Sequence, residues 1–240
     1  LMCSSILQLL FNAADIVVVG RFAGDNSLAA VGSTASLIGL LTNLFIGLSI
    51  GANVLVARYY GANNEKELSE TVHTAMLLSM ISGGILTVVG LFGAKYILIL
   101  MTTPDEVLGL ATTYLRIYFL GMTATMVYNF GSAILRAVGD TKRPLYFLAV
   151  AGVINVVLNL FFVIQLKMDV AGVATATAIS QCVSAALILY CLRMEDGGIR
   201  LDLRRLRIFK DKLKQIMEIG LPAGFQGILF SISNVAIQAS

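Results

Sequence analysis

The chain has 240 residues, 58% of them hydrophobic and 13% charged, with a formal net charge of +3. Soluble domains carry about 25% charged residues, and a mean hydropathy of +0.86 over the whole chain excludes a water-soluble globule. The apolar residues come in runs of about twenty or more, enough to cross a bilayer as helix, so the reading is an all-α integral membrane protein.

In chain order, hydropathy places about seven spans, at 1–20, 33–57, 71–100, 112–135, 144–166, 170–192 and 215–240. Asn64-Glu65-Lys66-Glu67 reads as a capped helix start before the third span. Thr103-Pro104-Asp105-Glu106 reads as another, with Thr103 as N-cap and Pro104 at the first helical position. Gly139-Asp140-Thr141 marks a turn before Pro144. Only Lys167-Met168-Asp169 separates the fifth and sixth spans, which predicts a tight helical hairpin. In span two, Gly39, Gly47 and Gly51 predict close helix packing. The first residue is Leu1 and no basic signal-peptide segment is visible, so targeting is expected from the spans themselves.

Lys and Arg set the orientation. Arg58, Lys66, Arg136, Lys142, Arg143, Arg193, Arg200, Arg204, Arg205, Arg207, Lys210, Lys212 and Lys214 fall on one side, and Arg21, Lys95, Arg116 and Lys167 on or near the other. Positive charge favours the cytoplasm, which predicts a cytoplasmic N-terminus in a multi-pass cell-membrane protein. That topology accounts for the basic charge without nucleic acid. The polar segment 193–214 interleaves Leu201, Leu203, Leu206, Ile208 and Leu213 with basic residues, as in a helix on an anionic leaflet; a solvated linker is the plainer reading.

A weak internal repeat relates Ile6, Leu7, Asn12 and Ala14 to Ile228, Leu229, Asn234 and Ala236, all at an offset of 222 residues. The offset falls where a second six-helix unit would begin. The expected organisation is a transmembrane lobe over 1–192, a linker over 193–214 and the start of a second lobe over 215–240, with that second lobe as the partner.

Asp15 is the most informative residue. An ionised carboxylate within a span is costly unless it is paired, hydrated or protonated, so a proton or a sodium ion is its natural partner. The alternative is solvation near the interface, since Arg21 lies only about 9 Å of helix rise away. Asn155 and Asn159, four apart, share a helix face; their amide oxygens suit a sodium ion or a protonated carboxyl, or they serve as interhelical hydrogen bonds. Thr177 joins them as a further ligand, or simply bonds its own backbone. Gln8, Tyr118, Tyr128 and Asn129 either line a polar cavity or make helix contacts. His73, the lone histidine, opens span three and reads as interfacial. Cys3, Cys182 and Cys191 read as packing residues, so no transition-metal site is expected. The chain shows no nucleotide-binding loop and no catalytic constellation, so neither an enzyme nor a cofactor is expected.

An ordered set of motifs resembles the multidrug and toxic compound extrusion (MATE) family over almost the whole chain. It comprises Asp15-Ile16-Val17-Val18-Val19-Gly20-Arg21 with Leu28-Ala29-Ala30-Val31-Gly32, the run Arg136-Ala137-Val138-Gly139-Asp140-Thr141-Lys142-Arg143-Pro144, Asn155-Val156-Val157-Leu158-Asn159, Gly172-Val173-Ala174-Thr175-Ala176-Thr177 and Gly220-Leu221-Pro222. The resemblance implies a MATE-like six-helix lobe plus a partial seventh span, from a twelve-helix protein with a central cavity. It implies export of small organic, often cationic, substrates in exchange for H+ or Na+. Asp15 matches the family's cation-binding position in the first span, and Asn155 and Thr177 match neighbouring ligands. Asn159 stands where that branch often has Asp. A lipid-linked oligosaccharide flippase of the same superfamily and a non-transporting scaffold or receptor are the rival readings.

Overall fold

The computed structural model describes the backbone of residues 2–239, and the side chains of all of these except 2–5, 8, 9, 12, 36, 231 and 234–239. Cys3, Gln8 and the repeat residues Asn12, Asn234 and Ala236 therefore lie outside the described side chains. The described chain runs through α1 (Met2–Phe22), α2 (Asp25–Gly61), α3 (Glu65–Leu100), α4 (Asp105–Leu120), α5 (Met122–Ala137), α6 (Lys142–Leu160), α7 (Asp169–Met194) and α8 (Lys210–Ala239). The breaks sit where the backbone leaves helical space. Gly24 and Gly139 have φ of 92°, and Asn63, Thr102, Lys167 and Asp169 also have positive φ. Asn64 caps α3 as expected, its side chain accepting from Glu67 N. Thr103 does not cap α4: Pro104 takes that position, and no side chain bonds the first turn.

Among the described residues four helices are long and apolar enough to span a membrane alone, and α4 with α5, bent by 47°, makes a fifth if the pair is taken as one broken span. The expected span four is thus a broken one. Gly121 lies at the break because α7 approaches there: a Cβ on it would fall 2.9 Å from Ala178 Cα. Thr87 on α3 donates to the Phe119 carbonyl at 2.9 Å, satisfying a group that a bilayer could not. The first and last expected spans are helical too: α1 packs on α6 and α8 on α2.

The bundle core has two parts. One, towards the lysine- and arginine-rich end, gathers Leu55, Met76, Phe130, Ile134, Ile188 and Ile216. The other fills the opposite half with Val19, Leu86, Leu98, Leu115, Phe119 and Met126. The outward face is apolar, with Phe92, Tyr96 and Leu100 on α3 all exposed, as bilayer contact requires.

The glycine packing of α2 has its partner in α8. A Cβ on Gly47 would fall 2.3 Å from Gly224 Cα, and one on Gly51 2.4 Å from the Ile216 carbonyl oxygen. The converse holds, since Cβ atoms on Gly220 and Gly224 would meet α2 backbone at 2.7 and 2.6 Å. Two small-xxx-small pairs therefore face each other, and the backbones touch. Gly39 has nothing within 4 Å of its Cβ position and plays no such part.

The segment after α7 is not a membrane-surface helix. It is an extended strap with two short 3₁₀ turns, Gly197–Ile199 and Leu203–Arg205. Its apolar residues anchor it to the bundle: Ile199 and Leu201 are buried. Leu201 N donates to the Leu192 carbonyl at 3.0 Å. Lys212, at the far end of the strap, is buried between Glu67 and the Tyr59 ring. His73 is not interfacial but buried, and it holds the strap.

Candidate functional site

The polar cluster is assembled by α1, α6 and α7. Phe11 sets α1 against α6: a Cβ at Gly152 would fall 1.8 Å from its ring, so only glycine leaves room. One turn on from Phe11 comes Asp15, and on the same stripe of α6 come Asn155 and Asn159. The α6 helix then widens into a single π turn, Phe161–Gln165, where Leu166 N reaches back to the Phe161 carbonyl at 3.3 Å. Such turns are frequent at functional sites, and this one was not foreseen from the sequence.

Asn159 is fully buried and Asn155 is 5% exposed, while Asp15 and Thr177 are half-buried. The Asn159 amide nitrogen donates to Asp15 Oδ1 and to Asn155 Oδ1 at 3.0 Å. Asn155 Nδ2 donates to Thr177 Oγ1 at 3.2 Å, and Thr177 donates to the Val173 carbonyl at 3.0 Å. All four sequence-predicted residues thus form one hydrogen-bonded chain. Asn159 Oδ1 is buried without a partner among the described residues. No lysine, arginine or histidine forms an ion pair with Asp15 among the described residues. A carboxylate within an apolar helix, held by an amide and ion-paired with no basic side chain among the described residues, is chemically suited to take up a proton or a small cation.

The other expected residues divide. Tyr118 packs on Tyr114 with ring centroids 5.8 Å apart and the rings tilted by 30°. Tyr114 was missed, although its spacing of four from Tyr118, shortly before Gly121, was a usable signal. Tyr128 stands apart: it is buried, and its hydroxyl donates to the Pro144 carbonyl at 2.7 Å, bracing α5 against α6. Asn129 is half-buried, and Arg116 is exposed on α4. Cys191 is buried and Cys182 exposed, both as free thiols. Among the described residues no group of His, Cys, Asp and Glu is arranged to hold a metal.

A family model described as MatE matches residues 1–161. The probable multidrug resistance protein YoeA of Bacillus subtilis is 32% identical over 244 residues, covering 99% of this chain and 53% of the relative. An outward-facing multidrug resistance MATE family transporter superposes with a TM-score of 0.89 at 29% identity, over 98% of this chain and 52% of that one. An inward-facing one gives 0.85 at 30% identity, over 94% and 51%. The chain spans about half the length of these proteins. With its apolar spanning helices and a family model matched over most of its length, this multi-pass membrane chain belongs to the MatE family of transport proteins.

Proposed function

We propose that this chain carries the ion-coupling part of a secondary active exporter of small organic, often cationic, compounds driven by H+ or Na+. The observation behind this is the Asp15 cluster: a carboxylate within α1, bonded to a buried amide and ion-paired with no basic side chain among the described residues. The coupling ion is a co-substrate. Bound at Asp15 it cancels the buried charge, and the unpartnered Asn159 oxygen supplies a second ligand or a proton acceptor. Coupling follows if ion and drug favour different arrangements of α1 against α6 and α7, because a ligand shifts an equilibrium only by its differential affinity for the two states.

Helices α1 to α7 act as one lobe, 193–214 as the linker and α8 as the first helix of a second lobe, which is the chain's partner in transport. The basic end faces the cytoplasm of the cell that carries the protein, and the N-terminus lies on that side. The experiment uses intact protein in proteoliposomes, following efflux of a cationic dye under an imposed proton or sodium gradient. Wild type is expected to move dye with one of the gradients, and Asp15→Asn to reduce flux to that of protein-free vesicles. Undiminished flux in Asp15→Asn would remove the coupling role from this residue. Failure of any cationic dye to move would favour the flippase reading.

A further inference from the structure

His73 is the one histidine of the chain, and it is 6% exposed. Its Nδ1 lies 2.8 Å from the Ser69 carbonyl oxygen and 3.4 Å from the Ser69 hydroxyl. Its Nε2 lies 3.1 Å from the backbone nitrogen of Asp202 in the strap. A carbonyl only accepts and a backbone N–H only donates, so the roles are fixed: Nδ1 carries the hydrogen and Nε2 offers its lone pair. Both contacts therefore demand a neutral ring in one tautomer. A second proton on Nε2 would set N–H against N–H, losing the bond and leaving two donors facing each other in a buried place.

The bond holds the middle of the strap. On one side of Asp202, Leu201 is buried at 1% exposure. On the other, Phe209 N donates to Thr74 Oγ1 at 3.2 Å, next to His73 on α3. Beyond that, Lys212 meets Glu67 and donates to Tyr59 at 3.0 Å. Of these fastenings the imidazole alone is of a side-chain type suited to a change of charge near physiological pH. The charged groups around it are engaged elsewhere. Asp202 pairs with Arg205, Glu67 on its own helix with Lys212 of α8, and Arg136 of α5 bonds Ser132. Arg207 lies over the Phe209 ring. The remaining charges on the surrounding elements are Glu65, Lys66, Glu70 and Lys95 of α3, Asp25 and Arg58 of α2, Glu195, Asp196, Arg200 and Arg204 of the strap, and Lys210, Asp211, Lys214 and Glu218 of α8; among the described residues no acidic group ion-pairs with the imidazole. The charged groups of α4 lie towards the opposite end of α3.

We infer that His73 is a proton-sensitive latch: while neutral it pins the strap at Asp202, and acid on the basic side of the membrane releases it. A glutamine could accept the same N–H without ever becoming charged; histidine adds a release. Docking that admits only the neutral ring weakens in proportion as the neutral fraction falls, while the Lys212 end stays fastened. The strap leads directly into α8, so its release frees the entry to that helix. Assigning the latch to the cytoplasm rests on the orientation proposed above; the latch itself does not.

Amide hydrogen exchange on the intact protein in lipid nanodiscs tests this, from about pH 5 to about pH 8, each rate corrected for intrinsic exchange. In wild type, protection of 199–203 is expected to fall by roughly tenfold per pH unit at the acid end. In His73→Gln it should stay level, and in both proteins the α5 core should not change. Identical pH profiles in the two proteins would overturn the proposal. Should His73→Gln fail to fold, ring ¹⁵N and ¹³C shifts of the single histidine decide. A neutral ring protonated at Nδ1 at neutral pH, charged on acidification as strap protection falls, supports the latch; the other tautomer, or an already charged ring, overturns it.

Discussion

Asn159 serves both neighbours with one amide group: its two N–H bonds go to Asp15 and Asn155, and its oxygen is left over. An unmet buried carbonyl costs about 1–3 kcal/mol, so anything that supplies a proton or positive charge there is bound with that gain. Replacing the amide with an apolar group of similar size, Asn159→Leu, should keep the fold and weaken the response to the ion. Melting of the intact protein with and without sodium, and across pH, checks this. The ion-dependent shift should shrink by roughly 1–3 kcal/mol, and an unchanged shift would mean that the amide takes no part. The four polar residues of the cluster were legible in the sequence because polar groups within apolar spans are few and helical period fixes their faces. Their order was not. That Asn159 rather than Asn155 touches Asp15 depends on Phe11 filling the space at Gly152, a tertiary contact that no periodicity encodes. The latch at His73 was hidden for a similar reason: its partner is a backbone nitrogen 129 residues away.

At the scale of helices, the seam between α2 and α8 is set by what is missing from four side chains. A bulky residue there must push the helices apart by several ångströms, because the atoms it would meet are backbone. Asn43 Cβ lies 3.5 Å from the Cβ position of Gly227, inside the range that a disulfide bridges. With the native cysteines replaced, the pair Asn43→Cys and Gly227→Cys should cross-link readily on oxidation. Adding Gly224→Leu should suppress that cross-link severalfold, and an undiminished yield would show the helices tolerate separation. The sequence pointed to the glycines of α2 but not to their match in α8, because the span was read from hydropathy before its facing partner was known. Hydropathy also began α2 about eight residues late, at 33 instead of Asp25, since a helix can run on past the apolar region with polar residues. The strap misled for a different reason. Its leucines and isoleucines alternate with arginines as on an amphipathic helix, yet Ile199 and Leu201 insert between α3 and α7 instead.

In the whole molecule, polar fastenings concentrate at the basic end while the opposite half holds the Asp15 cluster. Asp140, in the turn between α5 and α6, accepts from the backbone nitrogens of Lys142 and Arg143 at 3.1 Å each. Arg143 also pairs with both Asp140 and Glu195, tying that turn to the end of α7. Burial pushes the Asp140 carboxyl up, but the hydrogen bonds and charge of Arg143 outweigh it and hold the group below the usual carboxylate range. A lowered folded value means stability that is fully present above the unfolded value, about 3.9, and lost as pH falls through the folded one. Asp140→Asn should therefore melt slightly lower than wild type at neutral pH, by less than about 1 kcal/mol for so exposed a pair. The gap should close as pH drops below about 4; a gap that persists in acid would assign the loss to shape rather than charge. Between these two ends lies the glycine seam, where α2 and α8 meet main chain against main chain at Gly47, Gly51, Gly220 and Gly224. Main chain against main chain leaves no side-chain slack between the two helices there, so they turn together as a single spar.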